Sequence, residues 1–474
     1  MNKDIISYGI LTAFAKGLQF LMLPLLTRLF SPTDYGLIDF MATLTGLATI
    51  LMSLCLESAI ARMWHEAQDQ EQRKRLLTSV MVFVSTFGSV VYFSLWAASY
   101  LLAYAISGLQ NVQAILLVAM STALLLSISS IPQMVLRMER SIFKFGILQI
   151  ANSALGIAFS LALILHFGMG LLGLFLGYLA AAALVLALSI QWTRQYLQRR
   201  ISRPDIKECL KYSLPLVPAV FLSWSNSQVD RLILLSLLGL GVVGVYGAAA
   251  KVAMIITVLL EVFRLAWLPI ALSHISQSSR NSYFRNSLAA YLAVMTCIGL
   301  VLVAYSRELL TLLTTEKYAS GYVLIPWFVG AQIFSGSGNI TNVGMLISKK
   351  TVGNSVAAFL GTVVNVALSL VLVAAFGTLG AAIGSFIAAI IFTSMLLWLS
   401  LRQVDIPFNI RHALGIGLIY IATSVGVLNI YKYSTTNSVI TRTLLLAIAV
   451  GFVIRSATKY IRIPASSGTP SASS

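Results

Sequence analysis

This chain has little of what soluble chemistry and secreted folds rely on. Only three cysteines and four histidines occur in 474 residues. Cys55, Cys209 and Cys297 are widely spaced, which excludes a disulfide framework and a thiolate metal cluster. His65, His166, His274 and His412 stand singly, without the spacing of metal ligands. Asp, Glu, Lys and Arg together make up 10% of residues, well below the ~25% of an ordinary soluble domain. No HExxH, GxSxG or P-loop pattern is found, so the chemistries those motifs carry are not expected. The expectation is a protein that is not an enzyme and holds no cofactor and no metal.

Apolar sequence is what the chain has in abundance: 58% of residues are hydrophobic and the mean hydropathy is +0.89. A membrane span needs about 20 mostly apolar residues. Segments 80–103, 147–165 and 353–376 meet that length without one Asp, Glu, Lys or Arg. Repeating the reading along the chain predicts an all-α, polytopic membrane protein of about 14 transmembrane helices. They fall near 5–29, 36–58, 79–103, 114–136, 145–166, 171–192, 212–237, 243–266, 286–305, 322–347, 353–376, 379–401, 412–431 and 439–458. The first is too long for a secretory h-region and has no small-residue cleavage site, so it reads as a retained helix.

The net charge of +17 has a topological cause. Lys and Arg concentrate in alternate loops, as at Arg73, Lys74 and Arg75, at Arg137, Arg140 and Lys144, from Arg194 to Lys211, and at Lys349 and Lys350. By the positive-inside rule these loops are cytoplasmic, and an even number of spans puts both termini there too. Nucleic acid is not an expected partner, because the cations are spread over loops rather than gathered on one surface with aromatics.

The chain also repeats itself. Gly170, Gly173 and Gly177 between the fifth and sixth spans recur as Gly377, Gly380 and Gly384 between the eleventh and twelfth. Tyr8, Pro24 and Arg28 align loosely with Tyr212, Pro215 or Pro218, and Arg231. Two six-helix lobes in the same orientation follow, pseudo-symmetric about an axis along the membrane normal and flanking a central cavity. The expected organisation is an N-terminal lobe at 1–205, a C-terminal lobe at 206–403, two additional helices at 404–460 and a disordered Ser-, Gly- and Pro-rich tail at 461–474.

Ionisable groups inside spans cost roughly 2.5–3.5 kcal/mol each at mid-depth on insertion scales, so those retained face a cavity, a partner or an interface. Lys16 falls near the middle of the first span and Lys251 about 8 residues from the outer end of the eighth, both deep. Arg28, Asp39, Asp230 and Arg231 lie nearer the outer boundary, where snorkelling competes with a cavity role. Span seven carries Ser223-Trp-Ser-Asn-Ser-Gln228 ahead of Asp230, and Asn226 and Asp230, four apart, share a helix face. Glu57 is a further deep carboxylate; Glu261 is another, but three residues from Arg264 it has a pairing partner on its own helix. Arg442 reads as an interfacial anchor. The cations Lys16, Arg28, Arg231 and Lys251 suit a phosphate-bearing cargo, or else balance the carboxylates.

The run Leu29-Phe30-Ser31-Pro32-Thr33-Asp34-Tyr35-Gly36 after a helix with Pro24 resembles the N-terminal signature of Wzx-type polysaccharide-unit flippases, in the polysaccharide transporter family of the multidrug/oligosaccharidyl-lipid/polysaccharide exporter superfamily. Arg137-Met-Glu-Arg140, Tyr212-Ser-Leu-Pro215, Asp230-Arg231, Gly244-Val-Tyr246, Ala266-Trp267-Leu-Pro269 and Lys349-Lys350-Thr351 continue the likeness. The resemblance implies a transporter of the bacterial inner membrane that flips an undecaprenyl-diphosphate-linked oligosaccharide, the unit of O-antigen, capsule or exopolysaccharide, to the periplasmic leaflet by alternating access. It implies a basic cavity at Lys16, Arg28, Arg231 and Lys251. It also implies coupling to H+ or Na+, for which Asp39, Glu57, Asp230 and Glu261 are the carboxylates, and it implies work alongside polysaccharide polymerase and assembly proteins. A small-molecule or multidrug antiporter of the same superfamily is the first alternative. A membrane-embedded polysaccharide polymerase is the second, disfavoured by short outer loops.

Overall fold

The computed structural model describes residues 17–18, 20–105, 112–275, 277, 280–348, 352–433 and 438–461. Every regular element among them is helical. Tyr8, Lys16, Lys349, Lys350 and the tail from residue 462 lie outside the described residues.

In chain order the helices are α1 (Phe20–Leu29), α2 (Pro32–Ser53), α3 (Leu56–Glu66), α4 (Gln70–Ala105), α5 (Val112–Met138), α6 (Ile142–Leu165), α7 (Gly170–Thr193), α8 (Arg203–Ser213) and α9 (Val217–Leu238). There follow α10 (Leu240–His274), α11 (Arg280–Ala304), α12 (Ser306–Leu313), α13 (Ile325–Thr341), α14 (Val343–Ile347), α15 (Val352–Phe376), α16 (Thr378–Leu401), α17 (Ile410–Tyr433) and α18 (Ser438–Ile461).

Eleven described helices are long and apolar enough to cross a membrane. The three remaining positions expected to span are helical as well, each with a reason for falling short. α1 is described over only Phe20–Leu29. α9 carries the polar Ser223–Gln228 run together with Asp230 and Arg231. The expected span at 322–347 divides into α13 and α14 at Asn342. The span expected at 36–58 also ends early: Leu54 and Cys55 adopt left-handed backbone, with φ of 48° and 57°, so Glu57 sits on the separate helix α3.

Local sequence explains where helices start and turn. α2 opens with a capping box: Ser31 Oγ accepts the Asp34 N–H at 3.2 Å, the Ser31 N–H donates to Asp34 Oδ2 at 3.1 Å, and Pro32 takes the first turn, where its missing N–H costs nothing. Gly170 and Gly377 both adopt left-handed φ, 53° and 59°, at the α6–α7 and α15–α16 turns. Three residues on, Gly173 and Gly380 lie tight against the preceding helix; a Cβ on Gly380 would stand 1.9 Å from the Leu372 carbonyl oxygen. The sequence repeat is therefore a repeat of hairpin geometry.

The chain packs as two compact units. One comprises residues 1–251, 312–319 and 369–381; the other comprises 252–311, 320–368 and 382–474. In the first, α2, α4, α5 and α7 share an apolar core around Leu37, Met41, Met52 and Ala123, and α3, α4, α5 and α8 share another around Trp64, Leu77 and Val135. In the second, α11 packs against α13, α17 and α18. Large apolar side chains such as Phe93, Leu418 and Phe452 are more than half exposed, as a lipid-facing surface requires.

Candidate functional site

The polar residues of α2, α9, α10 and α15 converge within the first unit. Asp39 on α2 is buried and accepts from Arg231 on α9, with Nε to Oδ2 at 2.5 Å. Arg231 also donates from Nη1 to the Ser227 carbonyl at 2.9 Å, and its guanidinium lies 5.9 Å from the centre of the Tyr246 ring. On the neighbouring turn, Asp230 is buried and accepts from Tyr246 Oη at 2.9 Å and from Ser369 Oγ at 3.0 Å. Thr43, one turn along α2 from Asp39, lies 3.2 Å from Gln228 Oε1 through its Oγ1.

Small residues bring these helices close enough for the contacts to form. A Cβ on Gly36 would lie 1.9 Å from the Leu240 carbonyl oxygen, one on Gly244 1.9 Å from that of Pro32, and one on Gly247 2.7 Å from Asp39 Oδ2. α2 and the start of α10 thus touch backbone to backbone. Tyr318 closes over the start of α2, donating to the Phe30 carbonyl at 3.1 Å and packing edge-on against Tyr35.

Lys251 follows Gly247 by one helical turn, on the same face of α10 and within electrostatic reach of Asp39 and Arg231. It is half-buried and has no ion-pair partner within 4 Å among the described residues. Asp39, Asp230, Arg231 and Lys251 together carry two formal charges of each sign. Compensation of this kind is what keeps buried charge tolerable.

The other expected site residues separate from this group. Arg28 is exposed at the end of α1. Glu57, on α3, has a buried Oε2 with no hydrogen-bond partner among the described residues. Glu261 pairs with Arg264 at 2.7 Å on the half-exposed face of α10. Asn226 is exposed whereas Asp230 is buried, so the face they share does not give them one environment: the neighbouring helices cover Asp230 and leave Ser223, Asn226 and Ser227 open, with Ser225 between them buried.

Arg442 overturns the reading of an interfacial anchor. It is 1% exposed and donates from Nη2 to Glu308 Oε1 at 2.6 Å, from Nη1 to the Ala304 carbonyl at 2.8 Å, and to Tyr431 Oη. It clamps α18 to α11, α12 and α17. A sequence reading could not find it, because its partner Glu308 lies on the short helix α12, 134 residues away. Tyr246 and Ser369 escaped for a similar reason, since nothing in a hydroxyl's neighbours announces that a carboxylate will meet it.

An open pocket of about 430 Å3 lies beside this cluster, lined by Ile50 of α2 and by Ala219, Val220, Ser223, Trp224 and Ser227 of α9.

Known proteins share this sequence pattern and fold. The sequence model of the family described as polysaccharide biosynthesis protein matches residues 1–276. A protein of the Lsg locus of Haemophilus influenzae is 20% identical over 278 residues, which is 56% of this chain and 65% of that protein. The match thus spans less than two thirds of that relative's length. Among solved structures, the lipid II flippase MurJ in an inward closed conformation superimposes with a TM-score of 0.72 at 18% identity, covering 95% of this chain and 98% of that one. A multidrug resistance MATE family transporter of the MOP superfamily, inward-facing, gives a TM-score of 0.69 at 13% identity over 85% of this chain and 98% of that one. The fold is that of these transport proteins, and this chain is a multi-pass membrane protein.

Proposed function

We propose a function from the premise that this chain belongs to the polysaccharide biosynthesis protein family: it moves an undecaprenyl-diphosphate-linked oligosaccharide from the cytoplasmic to the periplasmic leaflet of a bacterial inner membrane. The observation that carries this reading is Lys251, a cation within a span that belongs to the charge-balanced group of Asp39, Asp230, Arg231 and Lys251 but makes no ion pair within 4 Å among the described residues. A deep ammonium in that position suits the diphosphate of such a cargo. Arg231 is already committed to Asp39, so Lys251 is the binding cation of this group in our reading, with Arg28 and Lys16 kept as cations proposed from the sequence.

In this reading both termini are cytoplasmic, lobes 1–205 and 206–403 alternate access to a central cavity, and polysaccharide polymerase and assembly proteins take over the product. Asp230, held by two hydroxyls, is the carboxylate best suited to exchange H+ or Na+ with the gradient that drives the cycle. The glycine-packed seam between α2 and α10 is the contact that must open for release.

The test is the sidedness of labelled lipid-linked oligosaccharide in right-side-out vesicles, read with an impermeant glycan-binding probe. Loss of outward-facing glycan on removal of this protein, with the lipid-linked unit building up inside, is the expected result. Unchanged sidedness favours the second reading, a small-molecule antiporter, which the MATE-like fold also supports.

A further inference from the structure

The first half of α9 presents a surface that hydrocarbon does not suit. Ala219, Val220, Phe221, Ser223, Asn226 and Ser227 are exposed, and about 9 Å of helix separates Ser223 from the start of α9. Ser227 Oγ donates within its own helix, to the Ser223 carbonyl at 3.1 Å and the Trp224 carbonyl at 2.9 Å, but the exposed Ser223 hydroxyl and Asn226 amide suit a water-filled space or a polar occupant better than hydrocarbon.

The pocket on this face has a particular make-up. The Trp224 ring stacks on Phe221 with centroids 5.8 Å apart and planes 30° from parallel. Its indole Nε1 is buried against Gly46 of α2, where a Cβ would stand 3.3 Å away, and it finds no acceptor among the described residues. Packing alone therefore holds the ring. Ile50, one turn along α2 from Gly46, also lines the pocket, as do Ser223 and Ser227. At about 430 Å3 the space is within the ~300–1,000 Å3 of small-ligand sites, which combine an apolar wall with a few polar groups.

A hexose ring has the complementary surface. One face presents polarised C–H bonds, which the negative face of an indole attracts; the rim presents hydroxyls, which serines meet. A lipid tail would leave the serine edge unused. We infer that the pocket between Ile50 and Trp224 is a sugar-ring subsite, seating one ring of the glycan against the indole face while the diphosphate lies toward Lys251. This rests on the function proposed above. Arg231 links the two regions, since it holds both Asp39 and the Ser227 carbonyl at the pocket edge.

The experiment uses the full chain in nanodiscs and two probes: a polyprenyl diphosphate carrying one N-acetylhexosamine and the same lipid diphosphate without sugar. Trp224→Ala removes the ring face; Ile50→Trp fills the pocket from the opposite helix and guards against a folding defect in the first variant; Trp224→Phe keeps a ring. The expected result is a loss of about tenfold or more in affinity for the sugar-bearing probe in Trp224→Ala and Ile50→Trp, little loss in Trp224→Phe, and unchanged affinity for the bare lipid in all three. Equal affinity of the wild type for both probes, or a sugar preference that survives both disruptive variants, overturns the subsite and leaves the flippase reading intact. Binding of neither probe by the wild type overturns that reading and the subsite with it.

Discussion

Asp39 and Arg231, 192 residues apart in the chain, meet at 2.5 Å and tie α2 to α9. Both side chains are nearly closed off, at 9% and 12% exposure. Removing one partner of such a pair leaves the other buried and uncompensated, at a cost of roughly 3–5 kcal/mol. Asp39→Asn should therefore destabilise the protein more than the double variant Asp39→Asn with Arg231→Gln. Thermal unfolding of both single variants and of the double variant in detergent, set in a double-mutant cycle, checks this; a double-variant loss equal to the sum of the two single losses would mean the pair is not coupled.

The α2–α10 seam admits no side chain. Gly36→Ala places a methyl carbon where the Leu240 carbonyl oxygen now stands, 1.9 Å from the ideal Cβ position, and should cost about 1–3 kcal/mol as the helices separate. Transport should fall with it. Gly451→Ala on α18, where nothing lies within 4 Å of the new Cβ, should leave both unfolding temperature and transport near wild type and so serves as the control.

Lys251→Gln should abolish glycan sidedness while the protein still inserts, since no ion pair within 4 Å among the described residues is broken, though the lost charge balance should lower its unfolding temperature somewhat. Lys251→Arg should retain part of the activity, since an arginine keeps the charge. Normal sidedness in Lys251→Gln at normal protein level would remove this lysine from the mechanism.

Glu308 on α12 gives an acid-side dependence of stability. Burial by itself pushes its carboxyl up, but the bonds from Arg442 and Tyr431 outweigh that and hold it below the ordinary carboxylate range. A depressed carboxylate stabilises the fold above its unfolded value, ~4.3, and that contribution is lost as pH falls through the lower folded value. Unfolding temperature should accordingly drop on acidification below about pH 4, and Glu308→Gln should start lower and show a flatter acid limb. α17 and α18 should be the first helices to lose protection from hydrogen exchange in that variant.

Cys209 on α8 is fully buried against Met63, and burial pushes its thiol up to about 12. It should resist maleimide in native membranes near pH 7.5 and react only after denaturation, because the thiolate is the reactive form. Prompt labelling of the native protein would show that α8 detaches from α3.

Membrane class and the existence of most helices could be read from run length, because lipid imposes one length on every span. Within the site the reading was uneven, and the reason differs by residue. Ser31 and Asp34 stood out as part of a family-like run, yet their immediate work is local: they cap α2. Glu261 and Arg264, three apart, pair as their spacing suggested. Arg231 was legible as a deep cation, but not as one consumed by Asp39, since that depends on which helix packs where. Arg442 was misjudged as an interfacial anchor for the same cause, and Glu308 did not stand out at all. Pairings inside one helix follow from spacing, whereas those between helices follow from packing, which sequence pattern does not encode.

The balance of charge among Asp39, Asp230, Arg231 and Lys251 has an electrical consequence. Moving one elementary charge through a 100 mV membrane potential involves about 2.3 kcal/mol. A group with two formal charges of each sign that travels as a body does almost no work against that field. In the transport cycle proposed above, voltage dependence would then report the cargo, the ion exchanged at Asp230 and the charges outside this group, with little contribution from the four balanced side chains themselves.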